Sequence, residues 1–142
     1  AGQPVTVEGP YGCFNPDKGR AKAQQIWVAG GIGITPFLAA LHARLPQDQP
    51  ATPVTLYYCT SDAADDANLN RVKQRMAQRP DSELKIYDSS QGERLSADQL
   101  QIRSAKADVW FCGPQGLADS LHQHIKTLSA SVRFHQERFE FR

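Results

Sequence analysis

Long hydrophobic runs, basic clusters and paired-cysteine motifs are all missing from this 142-residue chain. No apolar stretch approaches the roughly 18 residues of a membrane span. The opening AGQPVTVEG lacks the charged-then-apolar order of a secretory leader. The formal net charge is only +1, and no Lys/Arg run is interleaved with aromatics. That removes the electrostatic argument for nucleic acid or an anionic membrane. Cys13, Cys59 and Cys112 form no CxxC and cannot all pair. They are expected as reduced thiols in a reducing compartment. The four histidines make no metal set. His122 and His124, two apart in a predicted helix, point to different faces.

What is there is a soluble, globular composition, 40% hydrophobic and 22% charged. The length suits one domain with its own core. The most informative stretch is QIWVAGGIGITPFLAAL, residues 25–41. Ile26–Ala29 favours a strand and meets a glycine-rich turn at Gly30, Gly31 and Gly33. Thr35 is placed as a helix N-cap and Pro36 as the first helical residue. Phe37, Leu38, Leu41 and Leu45 then fall on one helical face. Glycines let the backbone turn sharply and approach a ligand closely. The helix start offers free N–H groups and a positive dipole end, which suits a pyrophosphate. An ordinary tight strand-to-helix turn would carry the same residues.

The rest of the chain alternates. Val5–Val7 reads as a short strand, and 15–22 as a loop or linker. A helix is expected at 36–45, a buried strand at 54–59, and a helix capped by Asp65 or Asp66 through Gln78. That helix turns Leu69, Val72 and Met76 inward. Strands follow at 83–88 and 108–112, with a short helix at 96–100 between them. Leu117, Leu121, Ile125 and Leu128 space another helix, and 132–141 closes as a strand. This predicts an α/β fold: a doubly wound, five-stranded parallel sheet covered on both faces. Ligands of such sheets bind beyond the carboxyl ends of the strands, where the strand order reverses. Three glycine-bearing segments end or follow strands, at 9–12, 30–33 and 113–116.

The turn is not a strict GxGxxG, because Pro36 stands where the third glycine would fall. The acidic residue that binds ribose should come about 20 residues later. That position lies in the proline-bearing loop 46–53, and Asp62 is the nearest acid. The ordinary dehydrogenase pattern therefore fits poorly.

Four segments fit another family: GPYG (9–12), VAGGIGITPFLAAL (28–41), VWFCGPQGLADSL (109–121) and QERFEFR (136–142). They resemble the ferredoxin–NADP reductase superfamily, most of all its ferric reductase, NADPH oxidase and flavohaemoglobin-type branch. The resemblance implies two cooperating domains, a β-barrel holding FAD and an α/β domain holding NAD(P)H. Residues 1–22 would be the barrel's last strand and linker, and 23–142 the NAD(P)-binding domain. The family's flavin signature, Arg-x-Tyr-Ser/Thr, does not occur in these residues. FAD is therefore expected mainly on a preceding domain, with this chain part of a longer protein and inactive alone. The implied function is an NAD(P)H:flavin oxidoreductase. Hydride passes to FAD, and electrons then pass singly to haem, iron–sulfur or ferric iron. A ferric reductase-like parent would add an upstream haem-bearing membrane domain and place this domain on the cytoplasmic face. The alternatives are a dehydrogenase with its own catalytic residues and a non-catalytic dinucleotide sensor.

The resemblance also assigns residues. Gly30, Gly31, Gly33, Ile34, Thr35 and Pro36 would cradle the pyrophosphate. Gly9, Pro10, Tyr11 and Gly12 would form the turn between domains, near flavin and pyrophosphate. Cys112 would face the nicotinamide, with Gly113 and Pro114 shaping its pocket. Glu137 and Phe139 match a terminal Glu-x-aromatic whose ring stacks on flavin and yields to nicotinamide. Phe141 is the competing ring, since 139 and 141 share a strand face. Thr60, Ser61 and Asp62 would lie at the adenosine ribose. Carboxylates repel a 2′-phosphate and accept from a 2′-hydroxyl, so Asp62, Asp65 and Asp66 lean towards NADH. An acidic helix start would look the same.

Overall fold

Ile26, Trp27, Val28 and Ala29 are all fully buried, because they form the centre of a parallel sheet with helices on both faces. In a computed structural model of the chain, the described residues are 6–8, 23–42, 53–79 and 81–137. In chain order they form strand β1 (Thr6–Glu8), β2 (Gln24–Gly30), helix α1 (Thr35–His42), β3 (Val54–Thr60), α2 (Leu69–Ala77), β4 (Glu83–Asp88), β5 (Lys106–Cys112), α3 (Gln115–Lys126) and β6 (Ser131–Glu137). The sheet order is β1-β6-β5-β2-β3-β4, and every pairing is parallel. The five expected strands are all present. A sixth, β1, extends the sheet by pairing Thr6 with Arg133 and Glu8 with His135 along the outer side of β6. The strand expected at 5–7 is described over Thr6–Glu8 and lies along β6.

Alternation along the strands sends side chains to two cores. Ile26, Val28, Val109 and Phe111 pack with Ala118, Leu121 and Ile125 of α3. Trp27, Ala29, Trp110 and Cys112 pack with Phe37 and Leu38 of α1 and Leu69, Val72 and Met76 of α2. The Trp27 and Phe37 rings lie 5.3 Å apart and tilted, a contact worth about 0.5–1.5 kcal/mol beyond its area. Right-handed crossovers put α1 and α2 on one face and α3 on the other. The order therefore reverses between β2 and β5.

Helix starts differ from expectation. A 3₁₀ turn over Gly31–Ile34 precedes α1, so Thr35 is the first residue of α1 and not a flanking cap. The cap of α2 is Asn68, with no side-chain bond, and not Asp65 or Asp66. Asp66 Oδ1 instead accepts from the Asn68 N–H at 2.9 Å. The helix expected at 96–100 is a single 3₁₀ turn, Ala97–Gln99. Leu45 and residues 138–141 lie outside the described residues.

A polar patch inside the sheet was not foreseen. Asp108 is wholly buried and accepts from Gln25 Nε2 at 3.0 Å. His135 Nε2 lies 3.4 Å from its other oxygen. Trp110 donates its indole N–H to Gln25 Oε1 at 3.2 Å, and its ring stacks on His135 at 3.7 Å. These bonds tie β2, β5 and β6 together at fixed register.

Candidate functional site

The glycine turn after β2 and the Cys-Gly-Pro turn after β5 meet at the switch point. A Cβ on Gly33 would lie 2.1 Å from the Cys112 carbonyl oxygen, and one on Gly30 2.7 Å from Pro114 Cδ. A Cβ on Gly113 would lie 3.0 Å from the Gly30 nitrogen. Three glycines therefore exist so that two backbones can touch. Gly31 differs: its φ is +57° and nothing lies within 4 Å of its Cβ position. Sequence reasoning assigned all the turn glycines to close ligand approach. The structure leaves open space beside Gly31 and packs Gly30, Gly33 and Gly113 turn against turn.

The other predicted residues sort in the same way. Ile34 is fully buried in one core with Trp27 and Phe37, so its side chain anchors the turn in the core. Thr35 is exposed and Pro36 half-buried. No acidic residue occupies the first turn of the 3₁₀ segment, of α1 or of α3. Pro114 caps α3 without a side-chain bond. Two helix starts thus point positive dipole ends at the switch point without compensating carboxylates.

Cys112 ends β5 beside Glu137, its register partner on β6. The thiol is fully buried. Burial, aided by the Glu137 carboxylate, pushes it up to about 12. Its side chain packs in the core formed with α1. Burial also raises Glu137. Gly9, Pro10, Tyr11, Gly12, Phe139 and Phe141 lie outside the described residues.

A cleft of about 310 Å³ opens beside Gly31, lined by Tyr58, Thr60, Ser61, Asp62, Asp65, Asp66, Ala67 and Asn68. This cleft brings Gly31 of the glycine turn beside the 60–62 segment. Asp62 is exposed and accepts from the Ala64 N–H at 3.1 Å. Thr60 is buried, and its hydroxyl donates to Asp66 Oδ2 at 2.7 Å. Tyr58 donates to the same oxygen at 2.5 Å. Burial pulls the Asp66 pKa upward, but bonds from Tyr58, Thr60 and the Asn68 and Leu69 backbones outweigh it and leave it lowered. Burial and Asp66 together raise Tyr58, so its proton stays on the phenol. Asp88, at the end of β4, accepts from the Ala63 N–H at 3.0 Å and holds the loop from the other side.

Sequence reasoning missed Tyr58, the clamping role of Asp66, and Asp88. One signal was available: Tyr58 and Thr60 are two apart and so share a strand face. Among the described residues no His/Cys/Asp/Glu group could hold a metal ion, and no helix is long and apolar enough to cross a membrane.

Residues 27–123 match the family model described as the oxidoreductase NAD-binding domain. The chain belongs to that family. This NAD-binding domain is 33% identical over 117 residues to the heme-dependent oxidative N-demethylase beta subunit of Ectopseudomonas mendocina, covering 82% of this chain and 36% of that protein. It is 29% identical over 119 residues to the carnitine monooxygenase reductase subunit of Escherichia coli, covering 82% and 35%. The domain therefore spans about a third of the length of the curated relatives it matches. In three dimensions it resembles flavohemoglobin from Malassezia yamatoensis, with a TM-score of 0.69 at 18% identity, over 83% of this chain and 32% of that one. At that identity the likeness establishes the fold alone, an α/β parallel sheet.

Proposed function

We propose that this domain holds the pyrophosphate at the turn of Gly31 and the start of α1, with the adenosine ribose in the Thr60–Asp62 cleft. The nicotinamide end then lies towards Gly113, Pro114 and the β5–β6 edge. The observation that carries this reading is the cleft that joins Gly31 to the end of β3, beside two helix starts free of carboxylates. Cradle and charge fit a dinucleotide: N–H groups and dipole ends for phosphate, carboxylates for ribose hydroxyls. When bound, NADH would supply a hydride to a flavin carried by a preceding domain. The protein's part is to orient the nicotinamide and exclude water. Residues 1–22 would lead from that flavin domain, with Thr6–Glu8 lying along β6. Phe139 would cover the flavin until nicotinamide displaces it.

The parent protein is a reductase that passes electrons onwards. The motifs fit a ferric reductase-like parent with a haem-bearing membrane domain. The names of both curated relatives fit an oxygenase or demethylase reductase instead, and we favour that reading.

The test is calorimetric titration of the full chain with NADH. Binding is expected. Gly31→Asp places a carboxylate beside the pyrophosphate and should weaken binding at least about tenfold, or about 1.4 kcal/mol. Unchanged affinity in a folded Gly31→Asp protein would move the phosphate site elsewhere. In a complete flavin-bearing form, Phe139→Ser should tighten nicotinamide binding, and an unchanged KM would remove the ring from the mechanism.

A further inference from the structure

We propose that the outer edge of β4 is a self-association surface, on which a second copy of this chain pairs antiparallel about Leu84. β4 is the last strand of the sheet and is bonded on one side to β3. On its other side only the end is closed. There the Asp88 N–H donates to Glu93 Oε1 at 3.2 Å, and the Asp88 carbonyl accepts from the Glu93 N–H at 3.0 Å. The backbone groups of Asp88 therefore face away from β3. Their direction alternates along a strand, so those of Leu84 and Ile86 face away too. Among the described residues nothing pairs with them on that side. A row of open N–H and C=O groups is a template for another strand.

The side chains decide which strand fits. Glu83 and Lys85 stand on one face of β4. Leu84 and Ile86 stand on the other, packed half-buried against the core under α2. A two-fold pairing brings outward groups together when it is centred on Glu83, Leu84, Lys85 or Ile86. Centring on Glu83 or Lys85 sets like charges directly opposite, which is destabilising. Centring on Ile86 sets Leu84 against the Asp88 of the second copy. Centring on Leu84 sets each Glu83 opposite a Lys85 of the other copy, and Leu84 against Leu84. Leu84 then exchanges both backbone bonds with its twin. The flanking Glu83–Lys85 pairs are of the non-hydrogen-bonded kind, in which side chains come closest. Lys85 Nζ now lies 5.6 Å from the Tyr57 ring centroid, and among the described residues neither Lys85 nor Glu83 has an ion-pair partner. Charge complementarity thus selects both the occupant, a second copy, and its register.

Such an interface is isologous and closes on itself. It joins two six-stranded sheets through their β4 edges and leaves β1 and β6 at the far edges. Because the strands run antiparallel, the two clefts beside Gly31 point to opposite ends of the joined sheet. Association therefore leaves both of them open.

The test is sedimentation of the full chain in reducing buffer over rising concentration, with circular dichroism to show that each variant is folded. The wild type should pass from monomer to dimer, and exchange of the Leu84 amide hydrogen should slow as it does. Lys85→Glu makes both flanking pairs repulsive and should weaken the dimer at least about tenfold. Combining it with Glu83→Lys restores opposite charges. That double variant should return to within about threefold of the wild type, although the Lys85 contact with Tyr57 is still lost. A chain that stays monomeric up to its solubility limit overturns the proposal. So does a dimer that Lys85→Glu leaves as tight as before, or one that the double variant fails to restore, because the contact then lies elsewhere on the molecule.

Discussion

Gly33 and Gly116 show that two glycines of one neighbourhood can do opposite things. A Cβ on Gly33 would overlap the Cys112 carbonyl, whereas one on Gly116, near the start of α3, meets nothing within 4 Å. Backbone cannot yield as a side-chain tip can. Gly33→Ala should therefore destabilise the fold by about 2–3 kcal/mol or more. Gly116→Ala should instead raise stability by up to about 1 kcal/mol, because alanine restricts the unfolded chain and favours the helix. Urea unfolding of the two variants checks both signs. A well-folded Gly33→Ala protein with wild-type stability would contradict the packing of the two turns. Gly33 was legible in the sequence as important. Its reason was not, because the atom it accommodates is 79 residues away, a separation no local pattern encodes.

At the scale of elements, the loop after β3 is gripped by the ends of its neighbours. Asp88 closes β4 and accepts from Ser90 Oγ at 2.6 Å, from the Ser90 N–H at 2.9 Å and from the Ala63 N–H at 3.0 Å. The Ser90 hydroxyl bond, then the Ala63 bond, holds its carboxyl below the usual range. A carboxylate whose pKa folding lowers adds stability above its unfolded value, near about 3.9, and loses it as pH falls through the folded value. Asp88→Asn should accordingly be less stable than wild type at pH 7. The gap should close as pH drops below about 4. Thermal melts of both proteins across that window supply the measurement. A gap that stays constant with pH would mean Asp88 contributes by shape and not by charge.

Burial within the sheet raises the pKa of both described thiols, half-buried Cys59 and buried Cys112. Cys112 is pushed up to about 12, by burial first. Burial likewise takes Cys59 up to about 11, against a small opposing effect from the Leu95 backbone. Thiolate is the reactive form, so both should resist alkylation near pH 8. In a Cys13→Ser chain, iodoacetamide should label neither residue while the protein is folded, and both after unfolding in urea. Rapid native labelling of Cys112 would show that the β5 end opens to solvent far more than its packing implies. A dinucleotide that bridges the two switch-point turns should slow labelling of the unfolding-competent pool further, since it binds the folded form alone.

Much of this architecture was written locally. Strand, glycine turn and helix follow one another within residues 25–42. The period-two and period-3.6 patterns placed Leu69, Val72 and Met76, and Leu121 and Ile125, on buried faces where the structure has them. Those features depend on neighbours a few residues apart, so a linear reading reaches them. The three-dimensional arrangement decided the rest. It placed β1 along β6, buried Ile34 and Cys112, and separated the glycine that faces the cleft from those that touch backbone. It also turned two hydroxyls on β3 towards one carboxylate and set Gln25 against Asp108, which is 83 residues away in the chain. Each of these rests on which strand lies beside which and on where a proton points. Such facts come into being only when distant segments pack together and must satisfy one another's hydrogen bonds out of reach of water.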